Sequence, residues 1–255
     1  MCGITGAVWQ DPREAISPEV LTRMTKAVAH RGPDDAQSWS CTDHRDAYGN
    51  QLGVALGFRR LSIIDLEGAR QPMANEDGTL RLVFNGEIYN YRSLRRRLEG
   101  TGHQFATEGD GESILHLYED QGTDCFAELN GMFAIGLWDG RRNRLVLARD
   151  RIGQKPLYYA VHNGRLVFGS ELKCLAEVEG VCSEIDPGAI DEFLTYQYVP
   201  HPGTIWKGVH KLAPGHFAVF QDGQVSVQRY WAFDPSIEIP IGKREACERL
   251  EELMT

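Results

Sequence analysis

Cys2 is the residue whose chemistry and position most nearly coincide. It follows Met1 and opens the run Cys2-Gly3-Ile4-Thr5-Gly6. Removal of Met1 would give one residue both a thiol and a free α-amine, a nucleophile beside its own base. A free α-amine titrates near about 7.7–8.0 and a free thiol near about 8.5, so neither needs a large shift to work at neutral pH. Taken alone, Cys2 also reads as a small buried hydrophobe. A thiol that attacks a carbonyl needs donors for the oxyanion that forms. Asn85-Gly86 follows an apolar run, and Asn offers an N–H₂ while Gly lets the backbone approach a ligand. The same dipeptide is a common turn between strands. Arg60, before Leu61-Ser62-Ile63-Ile64, suits a bidentate grip on a carboxylate. Glu87 and Asp110 could receive an ammonium. Asp110, in Gly109-Asp110-Gly111, reads equally as a helix N-cap.

The elements that must hold these residues are legible in outline. Residues 3–9 read as a short buried strand. Ser17-Pro18 starts a helix that breaks at Gly32-Pro33, and residues 54–64 form one bent strand or two. A strand over 80–84 runs into Asn85-Gly86. Helices follow over 91–99, closed by Gly100, and over 112–120. Strands are expected over 132–138, 144–148, 157–161 and 166–168, with Asn143 and Asn163-Gly164 as turns. Asp186-Pro187 opens a helix to about residue 196. A hairpin turns at Asp222-Gly223, and residues 243–254 form a charged amphipathic helix. This order implies layered α+β with much antiparallel sheet.

Composition narrows the function classes. A chain of 255 residues with a net charge of −9 argues against broad nucleic-acid or anionic-membrane binding. Arg95-Arg96-Arg97 reads as the solvated face of a helix. The six cysteines are scattered with no C-x-x-C pair, and no Cys/His cluster has metal-ligand spacing, so neither a disulfide framework nor a metal site is expected. No apolar run approaches the ~20 residues of a membrane span. A reduced, cytoplasmic protein is the expectation.

Six segments in register carry a resemblance. They are Cys2-Gly3-Ile4, His30-Arg31-Gly32-Pro33-Asp34, Arg60-Leu61-Ser62-Ile63-Ile64-Asp65, Phe84-Asn85-Gly86-Glu87-Ile88-Tyr89-Asn90, Gly131-Met132-Phe133-Ala134 and the stretch from Arg149-Asp150 to Tyr158-Tyr159. Together they resemble the N-terminal glutaminase domain of glutamine-hydrolysing asparagine synthetase, a class II glutamine amidotransferase. Amidotransferases of the glucosamine-phosphate and purine pathways fit these segments less well.

The resemblance implies a four-layer αββα sandwich of the N-terminal nucleophile hydrolase type over residues 2–234. Residues 235–255 would be a linker and helix start leading to an ATP-dependent synthetase domain. It implies Cys2 as nucleophile, Asn85 and Gly86 as oxyanion donors, and Arg60, Glu87 and Asp110 as the grip on glutamine. Arg31 would brace the loop near Cys2. ATP and magnesium would belong only to the synthetase domain, which would receive the ammonia, and a homodimer is implied. A different carboxylate acceptor is the alternative; a non-catalytic binding module is a third reading. Around Asp110 the two glycines depart from the family pattern and suggest a looser loop. The S-G-G-x-D-S loop of the synthetase half does not occur in the chain.

Overall fold

Strands buried on both faces give continuous apolar runs, and the strands over Gly3–Trp9, Gln51–Arg60, Gly131–Asp139, Arg144–Arg149 and Arg165–Gly169 are of that kind. The computed structural model describes residues 1–45, 51–61, 70–236 and 240–254. One six-stranded antiparallel sheet joins β1 (Gly3–Trp9), β2 (Asp35–Arg45), β3 (Gln51–Arg60), β8 (Tyr158–His162), β9 (Arg165–Gly169) and β10 (Val209–Lys211), in the order β10-β8-β9-β1-β3-β2. The second joins β4 (Met73–Ala74), β5 (Leu80–Ile88), β6 (Gly131–Asp139), β7 (Arg144–Arg149), β11 (His216–Gln221) and β12 (Gln224–Arg229), in the order β12-β11-β7-β6-β5-β4. Helices α1 (Pro18–Ala27) and α4 (Leu172–Ala176) cover the outer face of the first sheet. Helices α2 (Tyr91–Gly100) and α3 (Gly111–Gln121) cover that of the second. The result is the expected four-layer αββα sandwich. Helices α5 (Pro187–Tyr196) and α6 (Lys243–Met254) complete the described α-helices. No described helix is long and apolar enough to cross a membrane.

Three apolar layers follow from strand alternation. In β6, Phe133, Ile135 and Leu137 face α2 and α3, while Ala134 and Trp138 face the other sheet. In β1, Ala7 and Trp9 face α1 and α4, while Ile4 and Val8 face inward. Phe168 of β9 is fully buried in the layer between the sheets. Its ring occupies the room that side chains on Gly6 of β1 and Gly136 of β6 would fill, at 2.6 and 2.7 Å.

Local signals hold where the chemistry is local. Ser17 caps α1 through Val20 N–H at 3.3 Å, and Asp186 caps α5 through Gly188 N–H at 2.9 Å. Asn143, Asn163-Gly164 and Asp222-Gly223 all take positive φ at tight turns. Other points are settled only by the structure. Asn85-Gly86 is no turn: β5 runs straight through it to Ile88. Gly100 does not close α2 but is its last residue, and Gly102 takes the positive φ. The edge strand β2 and helix α4 were not expected. β2 alternates half-buried and exposed positions, so no apolar run betrays it. The expected strand end at 62–64 lies outside the described residues.

Phe168→Ala should cost about 3–5 kcal/mol, the range for a large aromatic deleted from a packed core. A urea unfolding midpoint shifted by less than the equivalent of about 1 kcal/mol would contradict this account of the inter-sheet layer.

Candidate active site

Three inward-facing apolar rows turn polar at the same end of the sandwich. In β3 the row Leu52, Val54, Leu56, Phe58 continues to Arg60. In β1 the row that includes Ile4 and Val8 is preceded by Cys2, which packs partly buried against the inter-sheet layer. In β5 the row carries on from Val83 to Asn85 and Glu87. The pairing of Gly3 with Arg59 sets Cys2 and Arg60 at the same end of the first sheet. The three row ends border one cavity of about 190 Å³, and Gly86, Asp110 and Lys155 line it too. Six of the seven sequence-predicted site residues therefore meet. The seventh, Arg31, stands behind Cys2.

The edge of β5 decides which donors face the cavity. Opposite Gly86 in β6 is Phe133, whose N–H donates to Asp150 Oδ2 at 3.2 Å and whose carbonyl accepts from Asp150 N–H at 2.9 Å. Phe133 thus points away from β5, and by ladder alternation the N–H of Gly86 points away from β6. On that free edge β4 spans only two residues, and side chains replace the missing strand. Gln71 brackets Phe84, accepting from its N–H at 2.6 Å and donating to its carbonyl at 3.1 Å. Asp110 Oδ2 accepts from Ile88 N–H at 2.8 Å. Between these two, the Gly86 N–H faces the cavity. The Asn85 Nδ2, on a side chain 1 % exposed, also has no partner among the described residues.

Gly86 is glycine for a reason other than ligand approach. A Cβ there would lie 2.1 Å from the Met132 carbonyl oxygen, so the close neighbour is the adjoining strand.

Asp110 occupies the N-cap position of α3 without capping it through its side chain. It ties the helix start to β5 instead. The loop before it is not loose. Glu112, buried, accepts from Ala106 N–H at 2.9 Å, Thr107 N–H at 2.6 Å and the Thr107 hydroxyl at 2.6 Å. Burial, and next to it the charge of Glu87, raises the Asp110 carboxyl above 3.8, against the pull of the Ile88 N–H.

Arg31 has the bracing geometry expected of it. Its Nε donates to the Cys2 carbonyl at 3.0 Å and its Nη1 to Glu171 Oε1 at 3.0 Å. Glu171 also receives His30 Nε2 at 2.9 Å and Lys173 Nζ at 2.9 Å. Sequence reasoning missed Glu171, Gln71 and Lys155. The first two act at long range in the chain, and no local pattern marks them. Lys155 lay within a quoted segment but carried no assigned role. It is buried because its loop is knotted: the Asp150 carboxylate accepts from the N–H groups of Ile152, Gln154 and Lys155, and Arg149 donates to the carbonyls of Gly153, Lys155 and Leu212.

Residues 1–231 match the sequence profile of the glutamine amidotransferase domain family. The chain belongs to that family. It is 38% identical over 236 residues to an asparagine synthetase [glutamine-hydrolyzing] 3 of Bacillus subtilis, covering 91% of this chain and 36% of that protein. It is 32% identical over 244 residues to the amidase chry2 of Gibberella zeae, covering 91% and 34%. The chain thus spans about a third of the length of these relatives. A glutamine phosphoribosylpyrophosphate amidotransferase from B. subtilis shares the fold at 19% identity, with a TM-score of 0.64 over 90% of this chain and 49% of that one. The glutamine amidotransferase domain here therefore joins a family-wide fold to a cavity that the Asn85 amide and the Gly86 N–H both face.

A carboxyl whose pKa rises on folding destabilises the fold above that pKa and is neutral below the unfolded value of 3.8, where both states hold the proton. Asp110→Asn keeps an acceptor for Ile88 N–H and removes the buried charge. It should raise the Tm at pH 7, with the gain fading as the pH falls towards 3.8. A lower Tm at pH 7 would contradict the burial account. Glu171→Gln should slow alkylation of Cys2 by a glutamine-like electrophile without changing the Tm by more than a few degrees, because the charge lost is that of one partly exposed carboxylate facing Arg31, His30 and Lys173.

Proposed function

We propose that this domain hydrolyses glutamine to glutamate and ammonia through a γ-glutamyl thioester on Cys2. The reading rests on one observation: the Asn85 amide, without a partner among the described residues, and the outward-facing Gly86 N–H border the same cavity as Cys2. Leaving a buried donor unpaired costs about 1–3 kcal/mol, which is recovered when an oxyanion accepts from it. In the mechanism the Cys2 sulfur attacks the side-chain amide carbon of glutamine. The resulting oxyanion accepts from Asn85 and Gly86. The α-amine of Cys2 takes the thiol proton and passes it to the leaving nitrogen, which departs as ammonia. Water then attacks the thioester, and glutamate leaves with the regenerated thiol. The Leu61 N–H, 3.4 Å from Sγ, is a further donor to the sulfur.

While Met1 precedes it, the nitrogen of Cys2 is an amide and no base. The mechanism therefore requires Met1 to be removed, and Met1 itself borders the cavity. Arg60, nine-tenths buried at the end of its row, would hold the α-carboxylate, and Glu87 and Asp110 the α-ammonium. Two acidic groups beside a cation suit a zwitterionic amino acid better than a simple amide.

The ammonia would be used by an ATP-dependent synthetase domain that makes asparagine from aspartate, with ATP and magnesium bound there alone. The likeness to asparagine synthetases supports this acceptor; the likeness to an amidase supports the alternative of a different carboxylate. Helix α5 exposes Ile190, Phe193, Leu194 and Tyr196, an apolar face suited to a docked domain.

Cys2→Ala should abolish release of glutamate from glutamine. Asn85→Ala should lower kcat about 10²–10³-fold, the measured worth of one oxyanion donor in other acyl-transfer enzymes. Intact-mass measurement of the active protein should show Met1 missing; full activity with Met1 retained would exclude the α-amine as base.

A further inference from the structure

A second group of chemically competent side chains lies on the outer layer, apart from the residues bordering the cavity. Glu76 in the turn after β4, His103 after α2 and His116 on α3 bring one ligand atom each within 4.8 Å of one another. Glu119, one turn along α3, joins them: its Oε2 lies 3.0 Å from His116 Nδ1 and 3.7 Å from His103 Nδ1. Glu76 Oε1 lies 3.9 Å from His116 Nδ1. Two of these separations are too long for hydrogen bonds. Ligands about 2.0–2.1 Å from a tetrahedral zinc ion stand about 3.3 Å apart, and the observed separations straddle that value.

The outer contacts already have the form that metal sites use. His103 Nε2 lies 3.0 Å from Asp120 Oδ1, so the ring can donate there and turn the lone pair of Nδ1 to the cluster. Asn75 Nδ2 donates to Glu119 Oε1 at 2.8 Å, leaving Oε2 for the cluster. His116 is 1 % exposed, its ring packs against His103 and Phe105 with centroids 4.7 Å away in each case, and its Nε2 has no hydrogen-bond partner among the described residues. Along the chain these residues have no ligand spacing; only the packing of α3 against the β4–β5 turn and the end of α2 assembles them.

We propose that Glu76, His103, His116 and Glu119 bind a divalent transition metal of the zinc class, which staples these three segments together. Imidazole and carboxylate donors suit zinc and cobalt. Because the unfolded chain lacks the site, metal binding should add to the stability of the outer layer.

The test uses the full chain stripped by chelator and titrated with Zn²⁺ against a chromophoric chelator, then with Co²⁺. One equivalent of Zn²⁺ should bind, raising the Tm. Co²⁺ should give the intense visible bands of a tetrahedral site without the near-ultraviolet thiolate band that a cysteine ligand would produce. His103→Gln and Glu76→Gln should each weaken binding at least about tenfold and abolish the thermal shift. His116→Asn alters a buried ring and could unfold; Glu76 is half exposed, so its variant keeps the test decisive. His201→Asn, at an exposed histidine elsewhere, should change nothing. Absence of stoichiometric binding, binding unchanged in both the His103 and Glu76 variants, or a thiolate band would each overturn the proposal and reduce the cluster to an ion-pair network. None of these readouts depends on glutamine hydrolysis, so the two readings stand or fall separately.

Discussion

The apolar layer between the two sheets is the constraint on which the molecule depends. Cys2 leads into a strand of one sheet, and Asn85 and Glu87 belong to a strand of the other. They face one another only because the inward rows of β1, β3 and β5 pack together through residues such as Ile4, Phe58, Val83 and Phe168. Packing at interior density fixes the distance between sheets within narrow limits, since neither voids nor overlaps are cheap. Position at the end of three such rows gives the cavity rigid walls and a wet mouth at once.

Polar groups at that end must be satisfied or left open for a ligand. Most are satisfied by side chains acting as substitute strands and caps. Gln71 and Asp110 complete the edge of β5, Glu112 closes the loop before α3, and Asp150 and Arg149 bind up the segment that carries Lys155. Against this background the open donors stand out. Among the described residues the Asn85 amide is left unpaired, the Gly86 N–H is turned to the cavity, and the Asp110 carboxylate is kept in surroundings that disfavour its charge. Each lowers the stability of the empty fold. Functional sites commonly depart from local rules in this way.

The legible part of the fold was the part decided by neighbours in sequence. Caps at Ser17 and Asp186 and turns at Asn143, Asn163-Gly164 and Asp222-Gly223 are formed by side-chain reach and by φ preferences over a few residues. The parts that local reading left open or missed were decided at a distance. Asn85-Gly86 has the composition of a turn, yet β6 on one side and Gln71 and Asp110 on the other hold it in an extended strand. The polar edge strand β2 forms because β3 offers it a ladder, not because its own residues demand one.

The sequence by itself determined the reactive residue types and their order, the alternation that makes strands of two-faced apolar runs, and a set of segments specific enough to indicate the family. Those follow from covalent chemistry and from periodicity, which a chain carries unfolded. Only the tertiary structure decided that six of those residues share one cavity and that Arg31 braces Cys2 with Glu171 behind it. It alone decided that Gly86 is glycine because of the Met132 carbonyl. These are contacts between groups tens of residues apart. Their distances are set by sheet packing and ladder register, quantities that exist only once the two sheets have closed on each other.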